Sequence, residues 1–157
     1  IREICTNLRP ATLDYSGLVP ALREYVAQFR ARTGLDVCID ADPGNAPQVL
    51  SRATQTLCFR LVQEALTNCA KHAQAGSVRI ELAASADGIL LQIGDDGVGF
   101  DLSRLGEAGS TPGLGLITMR ERVQLAGGDF RLYTQPGDGT VIEVRLPADL
   151  HPADDTR

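Results

Sequence analysis

Glu64-Ala-Leu-Thr-Asn68-Cys-Ala-Lys71-His72-Ala73 is the stretch on which the reading of this chain turns. It lies in the longest helical pattern of the sequence, Gln48 to Ala75, where Leu50, Leu57, Leu61, Ala65 and Leu66 build one apolar face and Gly76 closes the run. Glu64, Asn68, Lys71 and His72 follow one another at i, i+4, i+7 and i+8, a spacing that puts all four on one helix face. A carboxamide oxygen is a hard, neutral ligand suited to Mg2+, which takes a few protein oxygens and completes its shell with water and substrate phosphates. A nearby lysine then offsets phosphate charge. Spacing alone leaves a second reading open: a solvated face with a Glu64–Asn68 contact and a surface His72.

Downstream, Val78 to Ala84 and Ile89 to Ile93 alternate as strands across the hairpin dipeptide Asp87-Gly88. Gly94 to Gly113 is irregular and rich in Gly, Asp and Ser, and loops of that length inside a domain are commonly functional or disordered. It opens with Asp95-Asp96-Gly97-Val98-Gly99-Phe100. Glycines there allow a tight turn and close approach to a ligand. Asp95, at a strand end, is placed to accept a hydrogen bond from an exocyclic amine such as adenine N6; taken alone, the hexapeptide is equally an acidic turn. The stretch ends with Gly109-Ser-Thr-Pro-Gly113-Leu114-Gly115-Leu116, leading into a helix to Leu125. Backbone N–H groups at a helix start favour an anion. The pattern is neither a Walker A loop nor a complete dinucleotide fingerprint. Gly127-Gly128 stops the helix, and Phe130 to Thr134 pairs with Thr140 to Leu146 across Pro136-Gly137-Asp138-Gly139.

Upstream, Ile1 to Leu8 reads as the last turns of a helix stopped by Arg9-Pro10, followed by a loop through Asp14 and Ser16. Leu18 to Arg32 is a second helix, with Leu18, Leu22, Val26 and Phe29 on one face and Gly34 at its end. Leu35 to Ala41 is a strand, and Asp42-Pro43-Gly44-Asn45 a turn. The tail after Pro147 is polar, acidic and expected to fray. This order predicts an α/β two-layer sandwich, a mixed and mostly antiparallel sheet covered by helices on one face.

The totals agree. The chain has 157 residues, 43% of them apolar, and no Trp, so one domain with an aliphatic core is expected. A net charge of −5 speaks against a dedicated nucleic-acid binder but leaves room for a nucleotide site made by local cations and backbone N–H groups. Cysteines 5, 38, 58 and 69 show no CxxC spacing, and Cys58 sits in an apolar helical run, so reduced thiols in the cytoplasm are expected. No 18-residue apolar run and no signal peptide are present, so no membrane contact by this chain is expected. The start at Ile1 predicts a piece of a longer protein.

In order and context these elements resemble the catalytic ATP-binding domain of bacterial sensor histidine kinases, in the GHKL superfamily shared with DNA gyrase and MutL. Glu64 to Ala73 resembles the N box, Asp95 to Phe100 the G1 box, and Gly113 to Leu116 the G2 box. Gly127-Gly128 with Gly137-Asp-Gly139-Thr140 resembles the closing hairpin. Asn7-Leu-Arg9-Pro10-Ala-Thr-Leu13-Asp14 followed by Gly17-Leu18-Val-Pro20-Ala-Leu22 is similar to the junction of kinases paired with LuxR-type response regulators. The resemblance implies a Bergerat-type ATP-binding fold. It divides the chain into residues 1–16, the end of a dimerisation helix and its junction; 17–147, the catalytic domain; and 148–157, a flexible tail.

It further implies ATP and Mg2+ as cofactors, with Asn68 holding the metal and Glu64 ordering the metal site or its water. Lys71 and His72 would contact phosphates, and Asp95 the adenine amino group, with room made by Gly97 and Gly99. Gly113, Leu114, Gly115 and Leu116 would form the lid, and Thr140 would support the base pocket. Glu64, Asn68 and Lys71 make up the expected catalytic set. The implied partners are a phosphoacceptor helix pair of the same kinase and a LuxR-type regulator, in a homodimeric parent that is soluble or anchored in the inner membrane. Neither His72 nor His151 stands in the context of a phosphoacceptor, so the chain is expected not to label itself efficiently. Asp96, where many relatives carry Asn, is expected to add negative charge near the nucleotide, and Tyr15-Ser16 is the other departure from the pattern. Readings beside this one are an anti-sigma-factor-type serine kinase of the same fold, a water-using ATPase module with Glu64 as general base, and a degenerate domain serving only to bind or dimerise.

Overall fold

Inward-facing residues of five strands line up in rows across one sheet, and the rows explain the core. The strands are β1 (Asp36–Asp42), β2 (Ser77–Ser85), β3 (Gly88–Asp95), β4 (Asp129–Thr134) and β5 (Thr140–Pro147), in spatial order β1-β2-β3-β5-β4. Only β1–β2 is parallel; the other three pairings are antiparallel. Ile39, Ile80, Ile93, Ile142 and Leu132 form one cross-strand row, and Ala41, Leu82, Leu91, Val144 and Phe130 the next. Period-2 alternation therefore sends a continuous aliphatic face to one side. In this computed structural model the described residues are 11–42, 50–85, 88–105 and 113–147.

Helices cover that face. They are α1 (Ala11–Ser16), α2 (Leu18–Thr33), α3 (Arg52–Asn68) and α4 (Gly113–Leu125). Leu22, Leu61, Val62, Leu66 and Val123 are fully buried against the sheet residues Ile80, Leu91 and Val144. Each such side chain contributes roughly 1.5–3 kcal/mol by leaving water. The result is the expected two-layer α/β sandwich with a mixed, mostly antiparallel sheet. Ser51 caps α3 by accepting from Thr54 N at 3.1 Å, and the buried Thr54 hydroxyl reaches Pro147 O at 3.2 Å, tying the helix start to the end of β5.

The helices differ from the sequence reading in two places. Residues 11–16, expected as loop, form α1, because Leu13 is buried in the core and Thr12 donates to Glu24 of α2 at 2.5 Å. The long helix does not run uniformly to Gly76: after Asn68 it widens into a π-helical turn, Cys69–Ala73, and ends at Gln74, which is left-handed with φ 50°. The turn residues Pro43 to Asn45, Asp87 of the hairpin, Gly109 to Pro112 of the lid, the first helix and the tail lie outside the described residues. No helix of the described residues is long and apolar enough to cross a membrane.

Candidate functional site

One cross-strand row departs from the aliphatic pattern. It begins with Val37 and Val78 and then passes through Asp95, Thr140 and Thr134. Strand β3 is longer than its hydrophobic run, so Asp95 stands on the sheet itself, opposite Thr140. One Asp95 oxygen (Oδ1) accepts from Gly97 N at 2.8 Å; the other (Oδ2) accepts from the Cys69 thiol at 3.6 Å. The Thr134 hydroxyl accepts from Phe100 N at 3.1 Å, donates to Gly139 O at 3.0 Å, and lies 3.0 Å from the Thr140 hydroxyl. With the Thr134 proton so committed, Thr140 supplies the proton between the two hydroxyls.

The turn after β3 is stitched to the helix layer. Val98 N donates to Ala73 O at 2.8 Å, and Gly97 lies so close beneath that carbonyl that a Cβ would collide with it. Gly99 has φ +60°, and a side chain there would strike Gln135 O. Both positions require glycine. Asp96 points the other way from Asp95, as period-2 alternation dictates. Its carboxylate accepts from Gly76 N (2.8 Å), Ser77 N (2.9 Å) and the Ser77 hydroxyl (3.0 Å). Those bonds, the Ser77 backbone N–H first, hold its carboxyl below the usual carboxylate range. The expected negative charge beside the nucleotide is therefore corrected: Asp96 is an exposed anchor of the turn and does not line the cleft.

On the helix side, α3 brings Ala65 and Asn68 to the cleft, and the π turn brings Cys69, His72 and Ala73. Lys71 is exposed and does not line the cleft. The wider π turn rotates the residues after Asn68 relative to a regular helix, keeping His72 beside Asn68 and carrying Lys71 outward. The first turn of α4 closes over Asn68 and Glu64. A Cβ on Gly115 would lie 2.5 Å from Glu64 Oε1 and 3.4 Å from both terminal atoms of Asn68, so the helix start sits directly against these two side chains. Gly113 and Leu116 are buried, while Leu114 is 79% exposed. The Asn68 Nδ2 atom is buried with no hydrogen-bond partner among the described residues.

These walls line a narrow cleft with a cavity volume of about 50 Å³ that opens to solvent. Of the residues singled out from sequence, Asn68, His72, Asp95, Gly99, Leu116 and Thr140 line it. Gly97 and Gly115 shape it from behind, while Glu64, Lys71, Gly113 and Leu114 are not in its lining. Sequence reasoning missed Ile93, Phe100 and Ile142, which make its apolar floor, and Cys69 and Thr134, which hold its polar edge. The strand registers would have found Thr134 and Ile142. Cys69 has no such signal, because a thiol reads as apolar in a helical pattern.

A flat apolar floor with one carboxylate at its edge suits a purine bearing an exocyclic amine. The unpartnered Asn68 amide beside a helix start suits a metal-bound polyphosphate. No group of three or more His, Cys, Asp or Glu among the described residues is arranged to hold a metal by itself. An amide oxygen such as that of Asn68 suits Mg2+ that completes its shell with phosphate oxygens and water, so these residues fit a magnesium-bound nucleotide.

The profile described as "Histidine kinase-, DNA gyrase B-, and HSP90-like ATPase" matches residues 53–150. The chain belongs to this family. Among curated proteins, this histidine-kinase-type ATPase domain is 35% identical over 147 residues to the "Signal transduction histidine-protein kinase/phosphatase DegS" of Brevibacillus brevis, covering 94% of the chain and 36% of that protein. It is 33% identical to the "Oxygen sensor histidine kinase NreB" of Staphylococcus carnosus (strain TM300), covering 94% of the chain and 41% of that protein. The chain thus spans well under half the length of these relatives. Among solved structures, the histidine kinase domain of the Erythrobacter litoralis EL346 blue-light activated histidine kinase superposes with a TM-score of 0.63 at 23% identity, over 81% of this chain and 59% of that one. The mycobacterial sensor histidine kinase MprB gives 0.57 at 22% identity, over 80% of this chain and 90% of that one. At such identities these likenesses establish the fold, and the curated relatives make the domain a homologue of sensor histidine kinases.

Proposed function

We propose that this domain binds Mg-ATP and donates its γ-phosphoryl group to a histidine on a dimerisation helix outside these residues, for relay to an aspartate of a response regulator. The observation that carries the reading is the meeting of Asn68, His72, Asp95 and Thr140 in one cleft with an apolar floor. Asp95 accepts from the adenine amino group, and Thr140 supports the base from the neighbouring strand. Asn68 holds the metal, Glu64 orders the metal site or its water, and His72 and Lys71 meet phosphates, Lys71 by reaching from its exposed position. Gly113, Leu114, Gly115 and Leu116 form the lid side of the site. Mg2+ held by Asn68 would supply positive charge against the transferred group. The rest of catalysis is positioning by the chain's own residues, the general logic of phosphoryl transfer.

Residues 1–16 are the end of a dimerisation helix and its junction, 17–147 the catalytic domain, and 148–157 a tail. The junction's likeness supports a homodimeric parent whose regulator is of the LuxR type. The test supplies the chain with radiolabelled Mg-ATP, alone and with a histidine-bearing phosphoacceptor helix pair or a serine-bearing protein substrate. We expect slow or no self-labelling and acid-labile phosphohistidine on the helix pair. Acid-stable label on serine would favour the anti-sigma-factor-type kinase, and rapid stoichiometric labelling of the chain itself would overturn the assignment of an external acceptor.

A further inference from the structure

Cys69 is the residue next to Asn68, yet it works on the opposite end of the cleft. It is only 6% exposed, lines the cleft wall, and donates its thiol hydrogen to Asp95 Oδ2. Among the described residues Asp95 has one other side-chain bond, Gly97 N to Oδ1, and that donor belongs to the turn directly after it. A carboxylate anchored through one oxygen can still swing its other oxygen about the last side-chain torsion. Two anchors on two oxygens, one from the turn and one from the helix layer, stop that rotation. Each oxygen has two lone pairs, so each keeps one acceptor position after these bonds. A thiol is ordinarily protonated near neutral pH and is therefore a donor.

We infer that Cys69 is a positioning residue that fixes the Asp95 carboxylate for recognition of the purine 6-amino group, and so sets the base selectivity of the site. The inference rests on the ATP-binding reading above. It distinguishes a thiol that directs Asp95 from one that only fills space between α3 and β3. A filler, once removed, weakens every nucleotide alike. A positioning donor, once removed, weakens only ligands that use the carboxylate.

The experiment measures, by calorimetry with Mg2+, binding of ATP and of the analogue whose 6-amino group is replaced by hydrogen, to the full chain and to Cys69→Ala and Cys69→Ser. The unsubstituted chain is expected to prefer ATP. Cys69→Ala is expected to narrow that preference by roughly three- to tenfold, the net worth of one ordinary hydrogen bond, with affinity for the analogue unchanged. Cys69→Ser, which keeps a donor, is expected to restore the preference to within about twofold. Equal loss for both ligands in Cys69→Ala, or no change in preference, overturns the inference while leaving ATP binding standing. Failure of the unsubstituted chain to bind ATP overturns both. A second readout needs no nucleotide: the infrared S–H stretching band that Cys69→Ala removes should move to higher frequency in Asp95→Asn, whose amide is the weaker acceptor. A band that does not move means that the thiol does not donate to Asp95.

Discussion

At the Asp95 end of the cleft the side-chain oxygens are tied into the fold: both of Asp95 and the hydroxyls of Thr134 and Thr140 have partners. At the Asn68 end the pattern reverses: Nδ2 is buried without a partner among the described residues, Lys71 is exposed, and Leu114 stands 79% exposed at the start of α4. One end is built before any ligand arrives. The other holds polar groups whose needs the fold itself does not meet. An unsatisfied buried N–H costs about 1–3 kcal/mol, and such a cost is retained where a ligand or mobile element answers it. The contrast matches the division of labour in a nucleotide site, where the base needs a fixed reader and the polyphosphate needs donors free to close on it.

Breaking the prebuilt end should have the largest effect. Gly97→Ala drives a methyl group into the Ala73 carbonyl, and backbone lies on both sides of the clash. Stability should fall by about 1–3 kcal/mol, the usual range for overpacking. Displacing Asp95, whose carboxylate accepts from Gly97 N, should cost roughly 10- to 150-fold in Mg-ATP affinity, the worth of a hydrogen bond to a charged group. Denaturant unfolding and calorimetry check the two together. Full stability with full affinity would mean that the turn is not rigid.

The open end should respond in the opposite sense. Asn68→Ala removes the partnerless amide, so the unfolding midpoint should hold or rise slightly, while Mg-dependent ATP affinity falls roughly 10- to 100-fold. A thermal melt with and without Mg-ATP separates the two. Coupled loss of stability and binding, as at Gly97, would erase the distinction between the ends.

What was legible in the sequence follows the same line. Asp95, Gly97 and Gly99 stand out because a charge and two glycines at the end of a hydrophobic strand have few structural uses. Asn68 stands out because, with Glu64, Lys71 and His72, it makes a polar stripe on a half-buried helix. The alternation in β2, β3 and β5 and the hairpin turns made the antiparallel part of the sheet legible. Three features had no local signal. The π turn carries no composition of its own, so Lys71 and His72 read as neighbours on one face when only His72 lines the cleft. Cys69 counts as apolar in any periodicity, although it hydrogen-bonds a carboxylate. Thr134 is an ordinary strand former whose role appears only once β4 and β5 are in register. Helix α1 reads as loop from the sequence because its one buried residue, Leu13, is too sparse for a period.

Asp96 offers the smallest and sharpest test, because it differs from Asp95 by one residue and by a face of the strand. Its carboxylate accepts three bonds from Gly76 and Ser77, and its folded value is lowered by them, the Ser77 backbone N–H contributing most. A lowered carboxyl contributes stability that is fully present above the unfolded value of about 3.9 and is lost as pH falls through the lowered folded value. Asp96→Asn keeps an oxygen for the two backbone N–H groups, and the Ser77 hydroxyl can turn to accept from the new amide, so the loss near neutral pH should be slight. The gap in melting temperature between the two proteins should be constant above about pH 5 and close below about pH 4, as the native carboxylate protonates and the variant has nothing there to titrate. Mg-ATP affinity should be the same in both, because the side chain turns away from the cleft. A gap that persists unchanged in acid would deny Asp96 its anchoring charge. A fall in ATP affinity, by contrast, would return its charge to the neighbourhood of the nucleotide and make the prebuilt end of the cleft two carboxylates wide.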